Sequence, residues 1–337
     1  MNSKARCLAC LRGDPVDRTP VFPLLMFFAQ QRAGITYREY ATNGRALAAA
    51  QLNIRERFTV DAVTICSDAF RVTADLGGEM AYPEDRPPFA TRPLVTGEAD
   101  LKRLGRPDPL TRGSRMADRV EATRLVAEGV GDECLVLGWV DMPFAEACSI
   151  CGVAEFMLLL VDQPSLAHRL LNFLTDIVID FGLAQLEAGA VMIGTGDAAA
   201  SLVSPGHYRE FALPYEQRVI DRIHEAGGLV KLHICGNTTH LLGDMVRSGA
   251  DLYNVDHLVP FASACEVYGK ADVCFKGNLD PVADFLQSTP ARCAERSTAL
   301  IDKAGGLRYM LSAGCEIPAN VHDEVFRAFC EVPQKMR

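Results

Sequence analysis

The sequence predicts a single (β/α)8 TIM barrel with an insertion after the second strand. Eight short strand-like runs alternate with helical segments along the 337 residues, the order that builds a parallel sheet covered by helices. Several of these runs are almost continuously apolar, as parallel strands buried on both faces must be. No G-x-G-x-x-G follows an early strand, so a doubly wound open sheet, the other fold for this order, lacks its fingerprint. At roughly 150 residues per domain the length would suit two domains, but an α/β barrel fills it as one, residues 1–337.

The first run is Arg18–Phe28 and the second Asp61–Asp68. Ala74–Ser114, rich in Pro, Arg and Asp, keeps neither period and is the insertion, a hairpin or a lid. The third run, Glu133–Phe144, leads to a helix over Pro164–Glu187, where apolar residues recur at spacings of three and four. Pro164 and Ser165 start that helix, and Gly189 stands past its end. After the fourth run, Ala190–Asp197, Ser204 caps and Pro205 opens a segment that Gly227 and Gly228 stop. Pro214 must bend or split it. The fifth and sixth runs, Gly228–Cys235 and Ala250–His257, flank a short helix at Thr238–Ser248. Helices at Ala262–Tyr268 and Pro290–Ala304 precede the seventh and eighth runs, Ala271–Pro281 and Arg308–Pro318, and a last helix covers His322–Cys330.

With 49% hydrophobic and 23% charged residues, the composition is that of a globular chain. A net charge of −9 argues against nucleic acid or an anionic membrane as the main partner. The start, MNSKARCLACLRGDPVDRTP, has no secretory h-region. Runs such as FMLLLV fall far short of the roughly 18 residues of a membrane span. A cytoplasmic, reducing location is expected, where the 12 cysteines serve as thiols or metal ligands rather than as a disulfide framework.

In such a barrel, chemistry gathers at the C-terminal ends of the strands. Those ends read Asp68, Trp139 with Asp141, Asp197, His233 with Cys235, Asp256 with His257, Asn278 with Asp280, and Cys315 with Glu316. Loops begin there, so polar residues alone need no function. Two thiols and an imidazole are harder to explain that way. His233-x-Cys235 points both side chains to one face of a strand. Cys315 ends the eighth strand, which faces the fifth across a small barrel mouth. One imidazole and two thiolates suit Zn2+ at about 2.0–2.3 Å and leave one tetrahedral position open, as in catalytic zinc sites. The blander alternative is a core histidine beside two inert thiols. Cys7-x-x-Cys10 and Cys148-x-x-Cys151 lie too far apart for a zinc ribbon and read as structural thiols. Cys66, Cys134, Cys265, Cys274, Cys293 and Cys330 read as core fillers.

Five segments carry a family resemblance: GTGDAAASLVSP (Gly194–Pro205), EFALPY (Glu210–Tyr215), KLHICGN (Lys231–Asn237), KGNLDP (Lys276–Pro281) and SAGCEIP (Ser312–Pro318). With them the chain resembles the uroporphyrinogen decarboxylase superfamily over nearly its whole length. It is most similar to the zinc-dependent corrinoid methyltransferase branch, which includes methylcobalamin:coenzyme M methyltransferases. His233, Cys235 and the glycine-preceded Cys315 match that branch's zinc ligands, whereas GNLDP is shared with the decarboxylases. The decarboxylases carry basic residues in the first strand region; here VFPLLMFFAQQRAG has only Arg32 nearby, so porphyrinogen decarboxylation is not expected.

The resemblance implies transfer of a methyl group between methylcobalamin on a separate corrinoid protein and a small-molecule thiol such as coenzyme M. Asp197 would orient a ligand or a neighbouring imidazole, or else cap a helix; Asp68, Trp139, Asp256 and Asn278 would line the mouth around the substrate. Other readings keep the fold: methylation of the corrinoid from a methoxyl, thioether or amine donor, tetrahydrofolate as acceptor, or a non-catalytic corrinoid-binding homologue. The oligomeric state stays open, a homodimer included.

Overall fold

A computed structural model describes residues 1–336. Its strands are β1 (Ala62–Thr64), β2 (Met80–Ala81), β3 (Phe89–Ala90), β4 (Leu135–Asp141), β5 (Met192–Gly196), β6 (Leu229–His233), β7 (Leu252–Val255), β8 (Cys274–Leu279) and β9 (Tyr309–Ala313). Seven of them pair in parallel, in the order β1-β4-β5-β6-β7-β8-β9, while β2 and β3 form a separate antiparallel hairpin. Helices cover the outer face of the curled sheet, giving the predicted α/β barrel.

The eighth barrel position differs from the expected strand over Arg18–Phe28. Residues there make two isolated parallel bridges, Val21 with Leu311 and Leu24 with Glu316. Phe22 N donates to Leu311 O at 2.9 Å, and on the other side Asp61 N donates to Val21 O at 2.8 Å. Pro20 and Pro23 have no N–H to give, so a continuous ladder cannot run through them. A helix already begins at Phe27. Asp61 fixes this join: fully buried, it accepts from Arg6 Nη1 (2.6 Å), from Arg18 Nη1 and Nη2 (2.8 and 2.9 Å) and from Val21 N (2.8 Å).

Two apolar clusters hold the layers together. The inner one fills the barrel with Phe22, Cys66, Leu135, Leu137, Trp139, Met192, Leu252, Cys274 and Met310. The outer, larger one lies between sheet and helices. Cys7 and Cys10 join the inner cluster, with Cys10 Sγ 4.0 Å from Cys274 Sγ, and neither C-x-x-C pair is bridged.

Pro164–Glu187 and Pro290–Ala304 form helices with the predicted ends. Pro214 does split its segment. A short turn at Pro205–His207, capped by Ser204, passes into a π-turn at Tyr208–Ala212, and a new helix runs from Leu213 to Glu225. Pro214 then stands in that helix's first turn, where its missing N–H costs nothing. The helix expected over Thr238–Ser248 shrinks to Leu242–Val246. The insertion contains the β2–β3 hairpin and is tied to the helical layer: Tyr37 N donates to Glu84 O, Leu94 N to Ile150 O, and Arg106 Nε to Asp180. Among the described residues no single helix is long and apolar enough to cross a membrane.

Candidate metal centre

The centre is assembled by three loops and two strands. On β6, Leu232 belongs to the outer cluster, so by alternation Lys231 and His233 face the barrel interior. Lys231 Nζ duly lies 4.2 Å from the Trp139 ring centroid. Cys235 continues this face just past the strand. Asp256, beyond β7, holds the turn that carries Cys235, accepting from Gly236 N and Leu258 N at 2.9 Å each. Asn278 secures the same loop by donating to Asp256 O (3.2 Å) and Val259 O (2.7 Å). Past β9, Gly314 packs so close to the next loop that a Cβ would overlap the His257 backbone nitrogen. Cys315 follows it, and the half-buried Glu316 carboxyl then accepts from Met26 N (3.0 Å) and Phe27 N.

His233, Cys235 and Cys315 thereby converge, each offering a ligand atom within 4.8 Å of the others. A tetrahedral zinc with the usual bond lengths has S–S edges of about 3.8 Å and S–N edges of about 3.6 Å. Here Cys235 Sγ to Cys315 Sγ is 3.9 Å and Cys315 Sγ to His233 Nε2 is 3.7 Å. His233 Nε2 to Cys235 Sγ, at 3.0 Å, is the one short edge. The donor set and two of its three edges fit zinc. Cys315 is lowered to about 3 by its contacts with Cys235 and then His233, while the Cys315 contact and burial push Cys235 up. Below the triad, burial lowers Lys231 to about 8 and depresses Lys276 strongly, with Lys276 Nζ donating to Phe22 O at 2.6 Å.

The other predicted residues fall into different places. Asp256 and Asn278 build the loops around the triad. Trp139 lies one layer beneath the strand ends, its backbone gripped by Gln185 (Trp139 N to Oε1, 2.8 Å). Asp68 is bound by Ser67 Oγ (2.7 Å), Phe70 N (3.0 Å) and Arg115 Nη2 (2.6 Å), so it closes its own loop. Asp197 neither orients His233 nor caps a helix. Its backbone N donates to His233 O at 2.8 Å, but its carboxyl lies by Glu216 and Ala145, and no side-chain cap bond forms. Burial, then Glu216, pushes Asp197 well above the usual carboxyl range.

At the same mouth the sequence marked Asp141 and Glu316 only as strand-end residues and left Arg71, Gly194 and Gly196 without a role. Arg71, fully buried, pairs with Asp141 at the end of β4. Glu316 is pushed up by burial to about 8. Gly194 and Gly196 leave the room that Trp139 fills. The alternation Lys231-x-His233-x-Cys235 and the pair Gly194-x-Gly196 were the available signals.

The uroporphyrinogen decarboxylase (URO-D) family profile matches residues 2–336. A uroporphyrinogen decarboxylase of Myxococcus xanthus is 31% identical over 300 residues, covering 83% of this chain and 82% of its own. A methylcobamide:CoM methyltransferase of Methanosarcina acetivorans is 30% identical over 327 residues, covering 93% and 92%. Among solved structures, a methyltransferase from Methanosarcina mazei superposes with a TM-score of 0.90 at 24% identity, covering 100% of this chain and 99% of that one. At that identity the last likeness is one of fold.

Proposed function

The chain belongs to the uroporphyrinogen decarboxylase family, and on that premise we propose that it moves a methyl group between a methylcorrinoid on a separate protein and a small thiol such as coenzyme M. The observation that carries this reading is the convergence of His233, Cys235 and Cys315 at the barrel mouth. The Methanosarcina acetivorans relative, named for methylcobamide and CoM, supports the same direction. Decarboxylation of a polycarboxylate is less well served. Arg32, the one basic side chain of Val21–Gly34, is held by Asp323, Ala319 O and Val321 O and stacks on Phe28.

Zinc held by these three ligands would supply deprotonation of a thiol at neutral pH while leaving its sulfur electron-rich. The chain's own residues do the rest. His233 and Cys235 come from the β6 side of the mouth and Cys315 from the β9 side, and both cysteines are partly exposed. Asp256 and Gly314 fix the two cysteine loops against each other, which presets the approach. In the transfer a sulfur–carbon bond forms, the cobalt–carbon bond breaks with its electron pair staying on cobalt, and the thiol proton leaves to solvent.

Purified protein is expected to hold about one zinc per chain, and Cys235→Ala to lose it. Free methylcobalamin should be demethylated in the presence of a thiol, read from the cobalamin absorbance. Equal zinc in both proteins, or turnover with tetrahydrofolate but with no thiol, would overturn the reading.

A further inference from the structure

Two side chains at successive inward positions of β7 reach the loops that carry the two cysteines. Leu252 lies in the inner cluster, so by alternation Asn254 and Asp256 also face the barrel interior. Asn254 stands beside His233 in the β6–β7 register. Its Nδ2 donates to Gly314 O at 2.9 Å, reaching past β8 to the loop after β9. Asp256 Oδ2 accepts from Gly236 N at 2.9 Å. Each bond ends on a peptide group that adjoins a ligand. Gly314 O belongs to the planar unit that ends at the Cys315 Cα, and Gly236 N to the one that starts at the Cys235 Cα. Fixing either atom therefore fixes the plane from which a thiol side chain departs. Asn254 is 3% exposed and Asp256 4%, so bulk water does not compete for these bonds. Gly314 N is tied separately to β8, donating to Leu279 O at 2.8 Å. Packing of Gly314 against the His257 backbone limits how near the loop can come to β7. The Asn254 bond is what holds it there.

We propose that Asn254 is a positioning residue for the metal centre. It holds the Cys315 peptide to β7 as Asp256 holds the Cys235 peptide, so this one strand spaces the two thiols. The resulting Sγ–Sγ separation is 3.9 Å, close to the edge of a zinc tetrahedron. The inference rests on the triad as a metal site and adds to it a residue outside the ligand set.

The test titrates Co2+ into the full chain stripped of metal by a chelator, because tetrahedral thiolate-bound cobalt has strong visible bands. Asn254→Ala removes the donor. Asn254→Asp keeps the shape and turns an acceptor toward Gly314 O. Both should weaken Co2+ binding at least about tenfold, the lower end of the loss seen when support around a ligand is removed. Both should also dim the visible bands at saturating metal. Asn254→Ser, too short to reach Gly314 O, replaces either variant that does not fold. Urea midpoints measured without metal separate this effect from a general loss of stability. A lower midpoint with unchanged cobalt affinity and spectrum would overturn the assignment, since Asn254 would then serve the core alone. If the unsubstituted chain binds no Co2+, the metal reading of the triad falls, and the role of Asn254 with it.

Discussion

Asp61 shows how far a single carboxylate can govern this barrel. It binds Arg6, Arg18 and Val21 N at once, and all of these lie at the seam where the proline-interrupted segment meets β1. Asp61→Ala would leave the Arg18 guanidinium buried with only Thr19 O nearby, although Arg6 keeps Asp17. Removing one partner of a buried pair costs about 3–5 kcal/mol. With Arg6 still paired, a loss of about 3 kcal/mol in urea unfolding is expected; a loss under about 1 kcal/mol would show that the seam closes without it. Residues differ in how legible they are for a physical reason. His233 and Cys235 are two apart on a strand, so the local period already aims them at one point. Asp61 meets partners 55 and 43 residues away, and Asp197 turned toward a helix rather than the triad. No local pattern encodes either fact.

At the scale of elements, strong punctuation was readable and compensated polarity was not. Proline and glycine bounded Pro164–Glu187 and Pro290–Ala304 in the sequence, and the structure keeps those bounds. The helix Arg115–Val130 escaped notice because it buries Arg115, Arg119 and Thr123 alongside its apolar residues. Its periodicity is masked by charges that find partners only after folding. The first strand failed for the opposite reason: its apolar run looked like a strand, but two prolines deny it the ladder. Gly314 links an element to the metal centre. With a Cβ there overlapping the His257 backbone, Gly314→Ala must push the β9 loop, and Cys315 with it, away from β7. Zinc affinity should fall about 10–100-fold, the range seen when support around a ligand is lost. Competition against a chromophoric chelator would measure it, with far-UV circular dichroism unchanged; unaltered affinity would mean that Cys315 is placed independently of that packing.

Taken as a whole, the molecule buries more acid than base beside β4 and β5, and its stability should record this. Glu216 is fully buried, accepts from Tyr208 Oη at 2.5 Å, and is pushed up by burial to about 7. Burial also raises Glu146 and Asp197 well above the carboxylate range and Glu316 to about 8. In the unfolded chain these groups titrate near about 4. A carboxyl raised by folding contributes stability that is complete below its unfolded pKa and is lost as pH rises through its folded value. Glu216 alone should withdraw about 3 kcal/mol between roughly pH 4.5 and 7. Lys231 and Lys276, both shifted down, slope the other way, but the raised carboxyls, Asp141 at about 6 among them, outnumber these two amines. The urea midpoint should therefore fall from pH 5 to pH 8. Glu216→Gln keeps an acceptor for Tyr208 and removes the titration, so its midpoint should fall less steeply by the Glu216 share. A midpoint that climbs over this range, or an identical slope in the variant, would show that these carboxyls do not hold their protons in the folded protein.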